Sequence, residues 1–277
     1  MYREFYQLKE HPFRLSPDNR YFIFSPQARG VYDQLLYGLE QGVGIMMLTG
    51  EVGVGKTSLV RYLMQNLDSN FETSFIFNPS LRSDEELLKF ILTELLNKEN
   101  PKNPFTFSPL IRKAELLDNL HRFLLIRYQK GVKVLLIIDE SQCLSDALLE
   151  EIRLLSNFEV NGAKLIQLLL VGQPEFKKRI ATSTWRALRQ RIAIKAELQP
   201  LQKEEVNFYI RYRLTVAGAN QEIFNASAIK KIYQASKGIP RLINLIAERS
   251  LIAGYISSKM QISKKEVNLA LKDLDLY

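Results

Sequence analysis

The sequence predicts an α/β fold, in which a parallel sheet is flanked by helices, with an all-helical domain after it. Short apolar runs alternate with longer helical stretches as far as residue 198, which is the pattern of βα units. One run, Val134–Ile138, is apolar throughout, as in strands buried on both faces of a parallel sheet. After Pro200 the strand signals stop. We therefore expect an α/β domain over 1–199 and a second, all-helical domain over 200–277.

The elements follow in order along the chain. Residues 1–24 are rich in aromatic residues and proline and predict an irregular but ordered lead-in, and Ser25 is placed to cap a helix reaching about Gln41. The expected strands are Ile45–Thr49, Ser74–Asn78, Val134–Ile138, Leu165–Val171 and Ile192–Leu198. The expected helices between them are Lys56–Leu67, Ser83–Leu96, Leu110–Gln129 and Leu144–Phe158, with a loop over Lys98–Pro109. The expected helices of the second domain are Lys203–Val216, Ala226–Ser236, Pro240–Ser257 and Ser263–Asp273.

Composition excludes several classes of protein. The single cysteine, Cys143, cannot form an internal disulfide. No apolar run reaches the ~18–20 residues that cross a bilayer, and the N-terminus lacks the apolar stretch of a secretory signal. His11 and His121 stand alone, so we expect neither a histidine metal site nor a catalytic triad. The net charge of +8 fits either simple solubility or an anionic partner such as nucleic acid.

The strongest chemical signature is a match to the pattern G-x-x-x-x-G-K-[ST], placed after an apolar strand and at the start of a helix. Its glycines let backbone N–H groups converge on phosphate oxygens, and the following helix points its positive end at the anion. The lysine is expected to reach the β- and γ-phosphates and the threonine to ligate Mg²⁺. The segment comprises Gly50, Glu51, Val52, Gly53, Val54, Gly55, Lys56 and Thr57, followed by Ser58.

An acidic pair ends the apolar strand that follows residue 133. Asp139 and Glu140 are expected at the carboxyl edge of the sheet, where ligands bind in open α/β folds. Beside a phosphate-binding loop, Asp139 would hold Mg²⁺ through water and Glu140 would polarise the attacking water as general base.

Other polar residues close to predicted strand ends and turns are open to two interpretations. Asn78 could restrain Glu140 until a partner engages, or could simply end its strand. Gln173 could contact the γ-phosphate or the attacking water, or could belong to the turn made by its neighbouring glycine and proline. Arg241 is held by the turn Gly238-Ile239-Pro240, where it could reach back to a nucleotide or lie on the surface.

Three arginines, Arg186, Arg189 and Arg191, precede the last predicted strand. Arginine suits the stabilisation of a transferring phosphoryl group. A solvated helix end explains the same residues without any catalytic role.

Together these features resemble an AAA+ ATPase, and nearly the whole chain resembles the ExeA/GspA-type ATPases of bacterial secretion, which include MshM-like proteins of pilus biogenesis. The P-loop is common to many families, whereas the other segments are more specific. The resemblance rests on Phe5–Phe13 with Pro17-Asp18, Leu36–Leu39, Thr49–Thr57, Asp139–Gln142, Glu151–Asn157, Gly172–Glu175, Leu188–Ile192 and Gly238–Asn244.

The resemblance implies ATP bound between the α/β core and the helical lid, with Mg²⁺, in an assembly of the ring type. It makes Gln173 the first sensor, Asn78 the glutamate switch and Arg241 the second sensor. It also makes either Arg189 or Arg191 the finger that acts on a neighbouring subunit. The Pro12-Phe13 segment and Ile239 are implied to flank the adenine.

Two departures from the family pattern bear on function. Ala28-Arg29 stand where many relatives carry a histidine. Long family members continue into a transmembrane helix and a peptidoglycan-binding domain, whereas we expect this chain to be a short form that is cytoplasmic and recruited to the inner membrane.

Three functions therefore stay open. The first is an oligomeric ATPase that drives assembly of a secretion or pilus envelope machine through a protein partner. The second is an ATP-switched DNA-binding regulator of transposition of the TnsC/TniB type, which the basic balance permits. The third is a nucleotide-dependent scaffold with negligible turnover.

Overall fold

The computed structural model describes residues 1–14, 18–77, 81–99, 106–108 and 111–275. The strands are β1 (Ile45–Gly50), β2 (Phe71–Ile76), β3 (Lys133–Ile138), β4 (Glu159–Val160), β5 (Ala163–Lys164), β6 (Gln167–Gly172) and β7 (Ile192–Leu198). The α-helices are α1 (Tyr2–Phe5), α2 (Pro26–Glu40), α3 (Lys56–Gln65), α4 (Asp84–Glu99), α5 (Lys113–Gln129), α6 (Asp146–Leu155), α7 (Pro174–Ala181), α8 (Arg186–Arg191), α9 (Lys203–Val216), α10 (Ala226–Ser236), α11 (Pro240–Ile256) and α12 (Lys264–Asp273).

Five strands form one sheet in the order β2–β3–β6–β1–β7, and the pairs β2–β3, β3–β6 and β6–β1 are parallel. The carboxyl ends of β1 and β3 therefore lie at the same edge of the sheet, on either side of β6. In doubly wound folds, ligands bind at this carboxyl edge, at the place where the order of the strands reverses. The predicted α/β fold with a helical C-terminal region is confirmed.

The sheet is buried because its strands are apolar on both faces. Every residue of β1 and β6 is buried, and so is every residue of β3 after Lys133. Helices α4, α5 and α6 cover it with fully buried leucine and isoleucine side chains, among them Leu88, Leu120 and Ile152. Such burial fixes the strand ends, and with them the loops that carry the polar residues.

Two compact units divide the chain. One comprises residues 30–50 and 63–197 and contains the sheet core just described. The other comprises residues 1–29, 51–62 and 198–277, so the lead-in and the phosphate-binding motif from Glu51 onward belong with the C-terminal helices. The predicted domain boundary after residue 199 stays a prediction.

The second unit has its own core, in which the lead-in packs against the C-terminal helices. Tyr6 and Phe13 are buried among apolar residues of α9 to α12. The main-chain N–H of Lys9 donates to the Ala217 carbonyl at 2.8 Å, and the buried guanidinium of Arg213 donates to the Pro12 carbonyl at 2.6 Å. The aromatic lead-in is therefore an integral part of this unit.

Several predicted boundaries were wrong. β2 was predicted over Ser74–Asn78, but it begins at Phe71 and ends at Ile76. Its parallel pairing with β3 starts and ends at the same two residues. Glu72 fits into this strand because Arg127 donates to its carboxylate at 2.6 Å. α3 ends at Gln65, and α4 continues to Glu99 into the predicted loop, most of which lies outside the described residues.

The elements that were not predicted include the short helices α1, α7 and α8 and the β4–β5 hairpin. The hairpin had a sequence signal, because Asn161-Gly162 suits the left-handed turn that joins two short strands. Within the described residues, no helix combines the length and apolar character needed to cross a membrane.

Candidate functional site

The phosphate-binding motif forms a loop that connects β1 to α3. Gly53 and Gly55 have φ values of 81° and 106°, which residues with a side chain rarely adopt. α3 begins at Lys56, so residues of the motif form the N-terminus of this helix, which carries the positive end of its dipole. The loop thus has the backbone of an anion-binding site.

Lys56 has a buried side chain, 6% exposed. Its ammonium donates to the Glu51 carbonyl, at the other end of the loop, at 3.0 Å. The lysine therefore already lies folded over the loop. Thr57 and Ser58 follow in the first turn of α3 and are half-buried.

The loop is in direct contact with the start of α11. The Arg241 N–H donates to the Gly53 carbonyl at 3.2 Å. A Cβ atom on Gly53 would lie 2.7 Å from the Arg241 Cβ and 3.3 Å from the Ile239 Cγ2. The absence of a side chain at Gly53 is what permits this approach, and it brings Ile239 and Arg241 beside the phosphate-binding loop.

A tight turn places α11 at this position. Lys237 is left-handed with φ 50°, Gly238 has φ 78°, and Pro240 occupies the first turn of α11. The Gly238 carbonyl accepts from the Leu201 N–H at 2.9 Å. A Cβ atom on Gly238 would lie 1.9 Å from the Leu201 carbonyl oxygen, so only glycine fits.

The acidic pair follows β3 as predicted. Asp139 is 3% exposed, and its N–H extends the sheet by donating to the Ile76 carbonyl at 2.8 Å. Glu140 is left-handed, with φ 50°, and is half-buried. Non-glycine residues in this region of φ/ψ space are uncommon and cluster at functional sites.

Two glutamine side chains hold the Glu140 carboxylate. Gln173, the N-cap of α7, donates from Nε2 to Glu140 Oε2 at 3.0 Å. Gln142 also donates from Nε2 to Glu140 Oε2, and its Oε1 accepts from the Gln173 N–H at 3.1 Å. The structure thus places the Gln173 side chain against Glu140, and the predicted contact of Gln173 with the γ-phosphate or the attacking water stays a prediction.

Sequence reasoning gave no role to Gln142 or Arg179. Arg179 on α7 donates to the Leu144 carbonyl at 2.6 Å and also to Asp146, which ties α7 to the turn after the acidic pair. The two-residue spacing from Glu140 to Gln142 was visible in the sequence. The contact between the two side chains, however, depends on the 3-10 turn over Ser141–Cys143, which was not predicted.

The arginines before β7 lie on α8. Arg189 is half-buried and donates to the Ala181 carbonyl at 2.5 Å. Arg191 is exposed and donates to Ser156 Oγ at 3.2 Å and to the Asn157 side chain. Arg186 is exposed.

The other predicted site residues are Pro12, Phe13 and Asn78. Pro12 and Phe13 are buried, and the Phe13 ring, 1% exposed, packs edge-on against Phe224 at 6.0 Å. That ring offers no free face to an adenine in this conformation. Asn78 lies outside the described residues.

The residues fit ATP and Mg²⁺ better than a metal held by protein alone. Among the described residues, no group of three or more His, Cys, Asp or Glu could form a metal cage. Mg²⁺ commonly binds through one or two protein groups together with waters and substrate phosphates. A phosphate-binding loop with one threonine, and a buried aspartate at the carboxyl edge of the sheet, provide groups of this kind.

Comparisons with known proteins agree with this geometry. The sequence matches the AAA domain family over residues 39–180. It is 38% identical over 270 residues to general secretion pathway protein A of Aeromonas hydrophila, an alignment that covers 98% of this chain and 48% of that protein. The chain thus spans about half the length of this curated relative.

Solved structures show the same fold at lower identity. Cdc6p from Pyrobaculum aerophilum superposes with a TM-score of 0.70 at 20% identity, over 95% of this chain and 70% of that one. The ORC2 protein of Aeropyrum pernix, solved as ADPNP–ADP complexes, superposes with a TM-score of 0.63 at 16% identity, over 96% and 71%.

Proposed function

The chain belongs to the AAA family of P-loop ATPases, and we propose that it binds ATP with Mg²⁺ through residues 50–58 and hydrolyses it with Glu140 as general base. The observation that carries this proposal is the loop after β1. Gly53 and Gly55 adopt φ values that suit an anion-binding backbone, and Lys56 lies folded over that loop at the start of α3.

In this proposal the N–H groups of the loop and the Lys56 ammonium bind the phosphates. Thr57 ligates Mg²⁺ directly and Asp139 holds it through water, as in other P-loop enzymes. The ion neutralises charge that develops on the phosphate oxygens. Burial strengthens these interactions, because charges act over a lower dielectric away from bulk water.

Glu140 takes a proton from the attacking water, and Gln173 orients that water or the γ-phosphate. The contact between Gln173 and Glu140 supports a shared task, since both side chains already meet. We also propose that Asn78 restrains Glu140 until a partner engages.

Nucleotide binding is proposed to be communicated to the helical region through the start of α11. Arg241 meets the loop through its backbone, which supports its role as second sensor. Ile239 and the Pro12-Phe13 segment remain our candidates for flanking the adenine, with the Phe13 ring requiring rearrangement to take part.

We further propose that the active form is a homo-oligomer, a ring or a filament. Either Arg189 or Arg191 would act on the nucleotide of a neighbouring subunit. Their position on the surface helix α8 supports this, as Arg191 is exposed and Arg189 half-buried.

The biological task we propose is ATP-driven assembly of a secretion or pilus envelope machine. The support is the similarity to general secretion pathway protein A across 98% of this chain. On this proposal the protein works in the cytoplasm and is recruited to the inner membrane by a protein partner. The alternative, a DNA-binding transposition regulator, is not favoured by the matched relative.

Glu140→Gln tests the chemistry. The variant should bind ATP and Mg²⁺ as the wild type does, because it keeps the size of the side chain and one oxygen that can accept from Gln142 and Gln173. Its rate of phosphate release should fall ~10²–10⁴-fold, as for loss of a general base. Glu175→Gln, at an exposed carboxylate in the first turn of α7, is the matched control and should keep its rate. Hydrolysis within about three-fold of wild type in Glu140→Gln would place the base elsewhere.

A further inference from the structure

Gln142 lies between the two side chains that the proposed hydrolysis uses. Its amide nitrogen donates to Glu140 Oε2 and its amide oxygen accepts from the Gln173 N–H at 3.1 Å. Gln173 closes the triangle by donating from Nε2 to the same carboxylate oxygen at 3.0 Å. One amide thus joins the end of β3 to the end of β6.

The orientation of this amide is determined by its neighbours. A backbone N–H can only donate, so the atom of Gln142 that faces Gln173 must be the oxygen. An ionised carboxylate can only accept, so the atom that faces Glu140 must be the nitrogen. Both contacts require the same orientation, so exchanging the amide oxygen and nitrogen would break both.

A rigid turn brings Gln142 back toward Glu140. The left-handed backbone of Glu140 leads into the 3-10 turn at Ser141–Cys143. The Cys143 N–H donates to the Glu140 carbonyl at 2.8 Å, and the buried Ser141 hydroxyl donates to the Ile138 carbonyl at 2.8 Å. Arg179 holds the far side of the turn through the Leu144 carbonyl at 2.6 Å.

We propose that Gln142 is a positioning residue, which fixes the Glu140 carboxylate and the Gln173 main chain relative to each other for hydrolysis. This inference rests on the proposed function. Because both amides donate to Oε2, the second oxygen, Oε1, is the one that accepts a proton from water. The described part of the chain supplies no hydrogen-bond donor to that oxygen.

The direct test is Gln142→Met, which keeps the length of the side chain and removes both hydrogen bonds. We expect kcat to fall about 10- to 100-fold, because displacement of a reacting group by ~1 Å has an effect of this size. The equilibrium affinity for ATP should stay unchanged, since Gln142 belongs to no phosphate-binding segment. An unchanged kcat beside an active wild type would overturn the inference and leave the proposed function standing.

Ser145→Ala is the matched control for damage to the turn. Ser145 caps α6 three residues after Gln142 by accepting from the Leu148 N–H at 3.2 Å. Its loss should lower the unfolding temperature and leave kcat unchanged. If the two variants lose kcat alike at equal loss of unfolding temperature, Gln142 has only a structural role.

A double variant separates positioning from general disruption. In the Glu140→Gln background, Gln142→Met should lower the residual rate no further, because the base that Gln142 positions is already gone. If the rate loss of the double variant equals the product of the losses of the two single variants, the inference is contradicted.

Hydrogen exchange gives a readout that does not depend on turnover. Gln142→Met should speed exchange of the Gln173 amide, whereas Gln142→Glu keeps an oxygen acceptor there and should leave the exchange slow while still lowering kcat. Pro174 has no N–H, so a peptide over 172–174 reports on Gln173 with little overlap. Unchanged exchange in Gln142→Met would show that the contact does not exist. If the wild type has the contact but does not hydrolyse ATP, both the proposed function and the positioning role of Gln142 are overturned.

Discussion

At the scale of single residues, the Glu140 carboxylate accepts hydrogen bonds from the side-chain amides of Gln142 and Gln173. Glu140 could be singled out because two acids follow an apolar strand, and Gln173 because it follows another. Gln142 could not, because its contact with Glu140 depends on a left-handed backbone at a residue that is not glycine. Local strain of this kind follows from tertiary structure and has no clear signal in sequence.

At the scale of elements, the helices of the C-terminal region were predicted well because caps mark their ends. α9 and α10 begin and end at the predicted residues, and α12 has a capping box at Ser263. β2 was misplaced because its first residues are only half-buried, which weakens the apolar signal. α7 and α8 were missed because they are short and at least half of the residues in each are polar.

The turn before α11 yields a prediction about stability. Gly238→Ala should lower the free energy of unfolding by about 2 kcal/mol or more, because a left-handed backbone disfavours alanine and the new Cβ meets the Leu201 carbonyl oxygen. Urea denaturation would measure this change.

The matched control is Gly30→Ala, inside α2, where nothing lies within 4 Å of the added Cβ. That change should stabilise the protein by about 0.5–1 kcal/mol. If both alanine variants behave alike, the turn geometry is wrong.

At the scale of the whole molecule, we propose that an arginine from another subunit completes the site. In P-loop enzymes such a residue can contribute ~10³–10⁵ in rate. Arg189 and Arg191 lie on a surface helix and are bound to main-chain and side-chain groups of their own chain. Sequence reasoning predicted the arginine cluster, whereas the choice between Arg189 and Arg191 depends on the interface that a neighbouring subunit would form with α8.

Association should therefore control turnover. Specific ATPase activity is expected to rise with protein concentration, and Arg189→Ala or Arg191→Ala should bind ATP normally yet lose the rise. Mixing that variant with Lys56→Ala protein should restore some activity, since the latter can still supply its arginine. Arg186→Ala, at an exposed arginine of the same helix, is the control. Activity strictly proportional to concentration over a ~100-fold range through the micromolar region would show that the site is complete within one chain.

The central claim is that the loop after β1 is where ATP binds, and calorimetric titration of Lys56→Ala tests it most directly. The variant should lose ATP binding while its unfolding temperature stays near that of the wild type, because the lysine supplies charge to the phosphates. Lys203→Ala, at an exposed lysine in the first turn of α9, should bind ATP as the wild type does. Wild-type affinity in Lys56→Ala would contradict the account, since a phosphate site that does not need this ammonium is not the one described.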